Sequence, residues 1–155
     1  MKLTRYKLRA LMYEEGRGVF LIQTPNLMKS NRWTTSGGYR TPGLNHLECI
    51  SRHIYDDLGI RTRITDLPIL RNVTSSNTLM DVYSATLPAG YKFSGQGIAK
   101  RARFFAPREI FEQEIELSMD NRTIFEILAK RGFFGDEFRS SCLQTGETGA
   151  YKQQP

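Results

Sequence analysis

The residues best equipped for chemistry lie between Trp33 and Ile60, in the stretch WTTSGGYRTPGLNHLECISRHIYDDLGI. His53, Asp56 and Asp57 stand at i, i+3 and i+4, so a helix would carry an imidazole and two carboxylates on one face. Carboxylates bind hard cations such as Mg²⁺ and Mn²⁺ and also exchange protons. Imidazole is neutral or cationic near neutrality and suits zinc, copper or nickel better than magnesium. His53 and Asp57 alone are too few ligands to define a transition-metal site. The same three groups also fit the solvated face of a packing helix.

Other groups invite a weaker reading. Arg101, Arg103, Phe104 and Phe105 are basic and aromatic residues of the kind that contact phosphate and stack a base. The alternative puts the Phe rings in the core and the arginines on the surface. Glu112, Glu114 and Glu116 would share one side of an extended segment, where a solvated edge explains them as well as a ligand set does. His46 reads as a cap-adjacent residue and Cys49 as a small packing residue.

A scaffold must position these groups. Residues 5–13 alternate Tyr6, Leu8, Ala10 and Met12 against Arg5, Lys7 and Arg9, a half-buried strand. After a turn at 14–18, Val19–Ile22 is wholly apolar, as a strand covered on both faces would be. These two runs are expected to form a hairpin. Residues 25–31 read as a loop and 32–35 as a short strand that ends in a turn at Gly37-Gly38.

The period then changes. Leu47, Ile50, Ile54 and Leu58 form one apolar stripe of a helix, with Asn45 as N-cap, Glu48 completing a capping box and Gly59 ending it. Strands are expected over 60–71 (broken near Pro68), 79–87 and 100–105. A polar turn at 72–77 and a Gly/Ser loop at 91–97 separate them. Ala106-Pro107 opens a short helix, and a second long helix over 121–132 is expected to be capped by Asp120. The order strand, strand, helix, strands, helix specifies an α+β fold with a sandwiched mixed sheet.

The chain has 155 residues, 39% hydrophobic and 25% charged, which bounds it to one ordinary globular domain. We place that domain at residues 1–135, with 136–155 as a C-terminal extension whose end, 144–155, reads as flexible. No apolar run reaches the length of a membrane span, and residues 1–13 lack a secretory signal pattern. Cys49 and Cys142 give no disulfide framework, so a reduced, cytoplasmic setting is the expectation. The net charge of +6 favours anionic partners such as nucleotides or nucleic acid.

The order of elements and the 33–60 stretch resemble the Nudix (MutT-like) family, whose box is G-x5-E-x7-R-E-U-x-E-E-x-G-U, with U aliphatic. Gly38, Arg52, Ile54, Gly59 and Ile60 match; Asp56 and Asp57 replace the glutamate pair; Leu44 and His53 depart from two further glutamates. FFAPREI at 104–110 and Cys49 also resemble flanking features of the family. The resemblance implies a Nudix-like mixed β-sheet flanked by helices, an α/β/α sandwich.

It also implies metal-dependent hydrolysis of a nucleoside diphosphate linked to another group. Asp56 and Asp57 would hold Mg²⁺ or Mn²⁺, Arg52 would position, and His53 would occupy a catalytic place. Gly37, Gly38, Trp33, Arg101 and Arg103 would line the substrate, with Tyr39 beside the cleft. His53 and Leu44 each remove negative charge that such a cation needs, and Leu44 leaves Arg52 to pair with Glu48 or Asp56 instead. The alternative is a non-catalytic Nudix-fold module that binds a nucleotide or RNA. A homodimer is left open.

Overall fold

The computed structural model describes residues 5–74, 77–112 and 115–139. The chain forms β1 (Arg5–Leu11), β2 (Tyr13–Glu14), β3 (Gly18–Gln23), α1 (Pro25–Met28), β4 (Arg32–Trp33) and β5 (Ser36–Tyr39). Then come α2 (His46–Leu58), β6 (Arg63–Ile64), β7 (Leu70–Val73), β8 (Thr78–Thr86) and β9 (Arg101–Phe105). α3 (Pro107–Phe111), β10 (Glu116–Leu117), α4 (Met119–Lys130) and a turn of 3-10 helix (Asp136–Phe138) follow.

A five-stranded mixed sheet runs β5-β1-β8-β6, with β7 also paired to β8. β1 and β8 lie parallel from Arg5↔Thr78 to Leu11↔Ser84, and the other pairs of this sheet are antiparallel. A second sheet, β2-β3-β9, is antiparallel throughout.

The expected hairpin between the first two runs therefore forms only at its tip. β2 pairs with β3, and Phe20 N–H reaches the Met12 carbonyl at 2.9 Å, but β1 belongs to the mixed sheet. Both edges of β1 are taken, one by β5 and the other by its parallel partner β8. Residues 25–28 are a single helical turn rather than plain loop, with Pro25 at its start, where a missing N–H costs nothing.

Helices cover both faces of the mixed sheet. α2 buries Cys49, Ile50, Ile54 and Leu58 among Leu8, Ala10, Phe20, Ile22, Tyr83 and Ala85. At roughly 1.5–3 kcal/mol for each large apolar side chain, this stripe supplies most of the helix's stability. Both halves of the capping box are present: Glu48 N–H donates to Asn45 Oδ1 at 2.8 Å, and Asn45 N–H to Glu48 Oε1 at 3.2 Å. Gly59 closes the helix in the left-handed region at φ 74°.

α4 packs on the opposite face, where Ile124, Phe125 and Leu128 meet Leu11, Val82, Trp33 and Phe105. Its N-cap is Ser118, two residues before the expected Asp120. Asp120 instead lies in the first helical turn and accepts from Lys7 Nζ at 2.9 Å. Phe138 packs against this second core, while residues 140–155, including Cys142 and the expected tail, lie outside the described residues. No described helix is long and apolar enough to cross a membrane.

Candidate functional site

The glycine pair is not a turn. Gly37 and Gly38 sit inside β5, opposite Arg9 and Leu8 of β1, and the strand continues to Tyr39. A sequence reading favours a Gly-Gly turn because glycine relieves backbone restriction; here the lack of Cβ serves close approach instead. A Cβ on Gly38 would lie 2.7 Å from His53 Cε1, so the imidazole occupies the space the side chain would have filled. His53 Nε2–H donates to the Tyr39 carbonyl at 2.9 Å, which ties α2 to β5.

The two aspartates diverge. Asp57 turns toward β5 and accepts from Ser36 Oγ at 2.6 Å. Burial pushes its carboxyl pKa up, opposed by the Ser36 hydroxyl, the His53 charge, the Gly37 amide and Arg9. Asp56 is exposed and lines a groove of about 630 Å³ on the outer side of α2, with Leu44, Arg52, Tyr55 and Arg61. Neighbouring helical positions point about 100° apart at 3.6 residues per turn, which separates the pair. Arg52 makes no ion pair with Glu48 or Asp56 among the described residues.

These residues do not fit a preformed Mg²⁺ or Mn²⁺ site. Among the described residues no three His, Cys, Asp or Glu groups converge as a metal site needs. Asp57 is bonded to a hydroxyl, Asp56 faces another groove, and the Nε2 of His53 is committed to a carbonyl.

What the fold does assemble is a row of cations. Arg5, Lys7 and Arg9 alternate along β1 and so share one face, with Tyr39 opposite Lys7 and Gly37 opposite Arg9. The Tyr39 ring is 48% exposed; Lys7 Nζ lies 5.0 Å and the Arg5 guanidinium 5.8 Å from its centroid. Arg5 also donates to the Tyr39 hydroxyl at 3.0 Å.

Deeper in, Arg9 donates to the Thr35 carbonyl at 3.2 Å, while its Nε is enclosed without a partner among the described residues. Burial pushes the Arg9 pKa down, against the pull of Asp120 and Asp57. The alternation of Arg5, Lys7 and Arg9 is visible in the sequence. Their alignment with Tyr39 and Asp57 is not, because β5 and α2 supply those groups.

The remaining candidates separate. Trp33 is buried edge-to-face against Phe105 at 4.7 Å, in the core on the α4 side. Arg101 lies 5.7 Å from the Trp33 ring and Arg103 3.6 Å from the Phe105 ring, so these three do assemble, apart from the helix that carries His53. Phe105 is fully buried, and Arg103 is held by Glu109 at 3.1 Å. Glu112 ends α3 and Glu116 lies in β10, so no extended segment aligns them; Glu114 lies outside the described residues. Cys49 is buried, and its sulfur accepts from Thr41 N–H at 3.3 Å, a packing role.

Two polar clusters escaped the sequence reading. Buried Asn121 accepts from Thr35 N–H at 3.0 Å and Thr35 Oγ1 at 2.7 Å and donates to Thr34 Oγ1 at 2.9 Å, pinning α4 to the β4–β5 segment. Fully buried Asp81 is clasped by Arg71 at 2.7 and 2.9 Å and by the Tyr6 hydroxyl. His46 Nδ1 stands beside it, 3.1 Å from the Tyr83 hydroxyl. Burial pushes Asp81 up, but the bonds from Arg71 and Tyr6 outweigh it and hold the carboxyl below its ordinary range. An Asp amid the apolar LMDVYSATL run was the available signal.

Comparison with known proteins finds no matching family model and no matching curated protein. Solved structures do match. The MutT protein from Methanosarcina mazei is 18% identical at a TM-score of 0.64, covering 84% of this chain and 96% of that one. The E. coli dihydroneopterin triphosphate pyrophosphohydrolase is 11% identical at a TM-score of 0.60, over 81% of this chain and 97% of its own. An ADP-ribose pyrophosphatase from Streptococcus suis is 12% identical at a TM-score of 0.55, over 74% and 80%. At such identities the likeness is one of fold. The chain has a Nudix-like fold, a mixed sheet with flanking helices.

Proposed function

We propose that this Nudix-like domain binds a nucleoside diphosphate derivative over the β1–β5 face and acts as a binding module rather than an efficient metal-dependent hydrolase. The observation that carries this reading is the row Arg5, Lys7 and Arg9 aligned beside the exposed Tyr39 ring. Cations two residues apart on a strand take successive phosphates, and an aromatic face stacks a base. The names of two structural neighbours, which act on ADP-ribose and dihydroneopterin triphosphate, support this ligand class.

Calorimetric titration with ADP-ribose tests it. Binding is expected without divalent cation and is expected to weaken about tenfold or more in Arg5→Ala/Lys7→Ala, the loss of one or two charge-assisted contacts. Affinity unchanged in that variant would refute the reading.

A second reading, hydrolysis, draws support from Asp56 and Asp57, which stand at box spacing on α2 within the same fold. It requires Mn²⁺-dependent release of mononucleotide from diphosphate substrates that Asp56→Ala/Asp57→Ala abolishes. Wild-type turnover that collapses in this variant would displace the binding-module reading.

A further inference from the structure

The basic-aromatic strand β9 splits across its sheet. Arg101 and Arg103 stack toward Trp33 and Phe105 on one side, while Ala102 and Phe104 join Phe20 on the other. On that second side lies a groove of about 470 Å³, walled by Arg17, Phe20, Tyr91, Lys92, Phe93 and Phe104. It belongs to the β2-β3-β9 sheet and the 91–93 segment, and it shares no lining residue with the groove on α2 or with the Arg5–Lys7–Tyr39 row.

Two features give the groove a ligand preference. Its floor is aromatic: Phe20 meets Phe104 at 5.1 Å and Tyr91 at 5.9 Å, both edge-to-face. Its rim is cationic. The Arg17 guanidinium sits 3.9 Å above the Phe104 ring centroid, Lys92 is exposed without an ion pair among the described residues, and Arg103 borders the edge. No Asp or Glu lines it, although Glu14 and Glu109 pair with Arg17 and Arg103, each at 3.1 Å.

We infer that this groove is a binding site for single-stranded nucleic acid, with bases on the half-buried Tyr91, Phe93 and Phe104 rings and phosphates at Arg17 and Lys92. Stacking on aromatics inside a cationic groove recognises a strand without reading its sequence. The shallow, open shape and the net charge of +6 fit a polyanion that passes across the surface. The site is independent of the β1–β5 reading, and either can fail alone.

Anisotropy of a fluorescein-labelled 12-nucleotide oligouridine, titrated with the full chain over a salt series, tests it. Lys92→Ser is expected to lower the slope of log affinity against log salt by about 0.7, one phosphate contact on a single strand. Phe104→Ala is expected to weaken binding at least about fivefold. The melting temperature of each variant guards against misfolding as the cause: Lys92→Ser, at an exposed position, should leave it unchanged while lowering the slope.

Photo-crosslinking with 4-thiouridine in the oligomer should mark the tryptic peptides 72–92, 93–100 or 104–108. Adducts confined to β1 or α2 peptides, a salt-independent affinity, or equal competition by uridine monophosphate per base would each overturn the proposal. Loss of ADP-ribose binding in Arg5→Ala/Lys7→Ala with oligouridine crosslinking at these three peptides intact would support both sites separately.

Discussion

Alanine at Gly38 and alanine at Gly37 should behave oppositely once His53 is removed. A methyl at Gly38 would stand 2.7, 3.1 and 3.2 Å from His53 Cε1, Nδ1 and Nε2, closer than carbon atoms tolerate. Only a side chain blocks it, and that ring is half-buried with one hydrogen bond, to the Tyr39 carbonyl. Gly38→Ala should therefore swing the imidazole away and lose that bond, about 0.5–1.5 kcal/mol. The loss is partly offset by the smaller conformational entropy of alanine in the unfolded chain, about 0.4–1 kcal/mol.

In a His53→Ala background nothing is displaced, so Gly38→Ala should be neutral or stabilising. The coupling energy of the cycle should be about 1 kcal/mol. At Gly37 the methyl would meet the Leu8 carbonyl oxygen at 2.2 Å and Arg9 Cα at 2.9 Å, at φ +149°. Backbone cannot swing aside, so Gly37→Ala should part β5 from β1 and cost more than about 4 kcal/mol, with no rescue by His53→Ala. Urea denaturation of the six proteins measures each term. Equal destabilisation by Gly38→Ala in both backgrounds would refute the claim that the glycine exists to admit the imidazole.

Other consequences follow from the polar clusters and the altered box. Asp81, with its folded pKa depressed, contributes stability that is complete above the ordinary carboxylate pKa and lost as pH falls through the lower folded value. Asp81→Asn should lower stability at neutral pH by about 1–3 kcal/mol and flatten the acid limb of a denaturation profile; an unchanged acid limb would remove Asp81 from that role.

Asn121→Ala leaves the Thr35 amide and hydroxyl without their acceptor in the core and takes one donor from Thr34, and should cost a similar 1–3 kcal/mol, about 2–12 °C in melting temperature for a chain this size. Its rescue by Asn121→Asp is not expected, because Asp cannot donate to Thr34. Leu44→Glu/His53→Glu should raise Mn²⁺ affinity, read by paramagnetic relaxation of water, since it adds two carboxylates to α2 and its leading loop. No gain would show that the helix face, and not its residue types, forbids the cation.

Local order was legible in the chain because neighbours in sequence set it. The α2 stripe, the Asn45–Glu48 box and the Gly59 stop all depend on spacings of three or four residues, and all appear as expected. The Nudix-like fold was legible through the same spacing around Gly38, Arg52, Ile54 and Gly59. Non-local pairing was not. Whether β1 pairs with β3 or with β8 depends on strands some seventy positions apart, which carry similar alternating patterns.

The site followed the same division. The sequence alone determined which groups exist: His53, Asp56 and Asp57 on one helix and Arg5, Lys7 and Arg9 on one strand face. Only the tertiary structure decided their company. It turned Asp57 into Ser36 and Asp56 into an outer groove, because adjacent helical side chains diverge by about 100°. It also set Gly38 under His53 and Tyr39 beside Lys7, because close approach and cross-strand register are properties of packed elements and not of the chain.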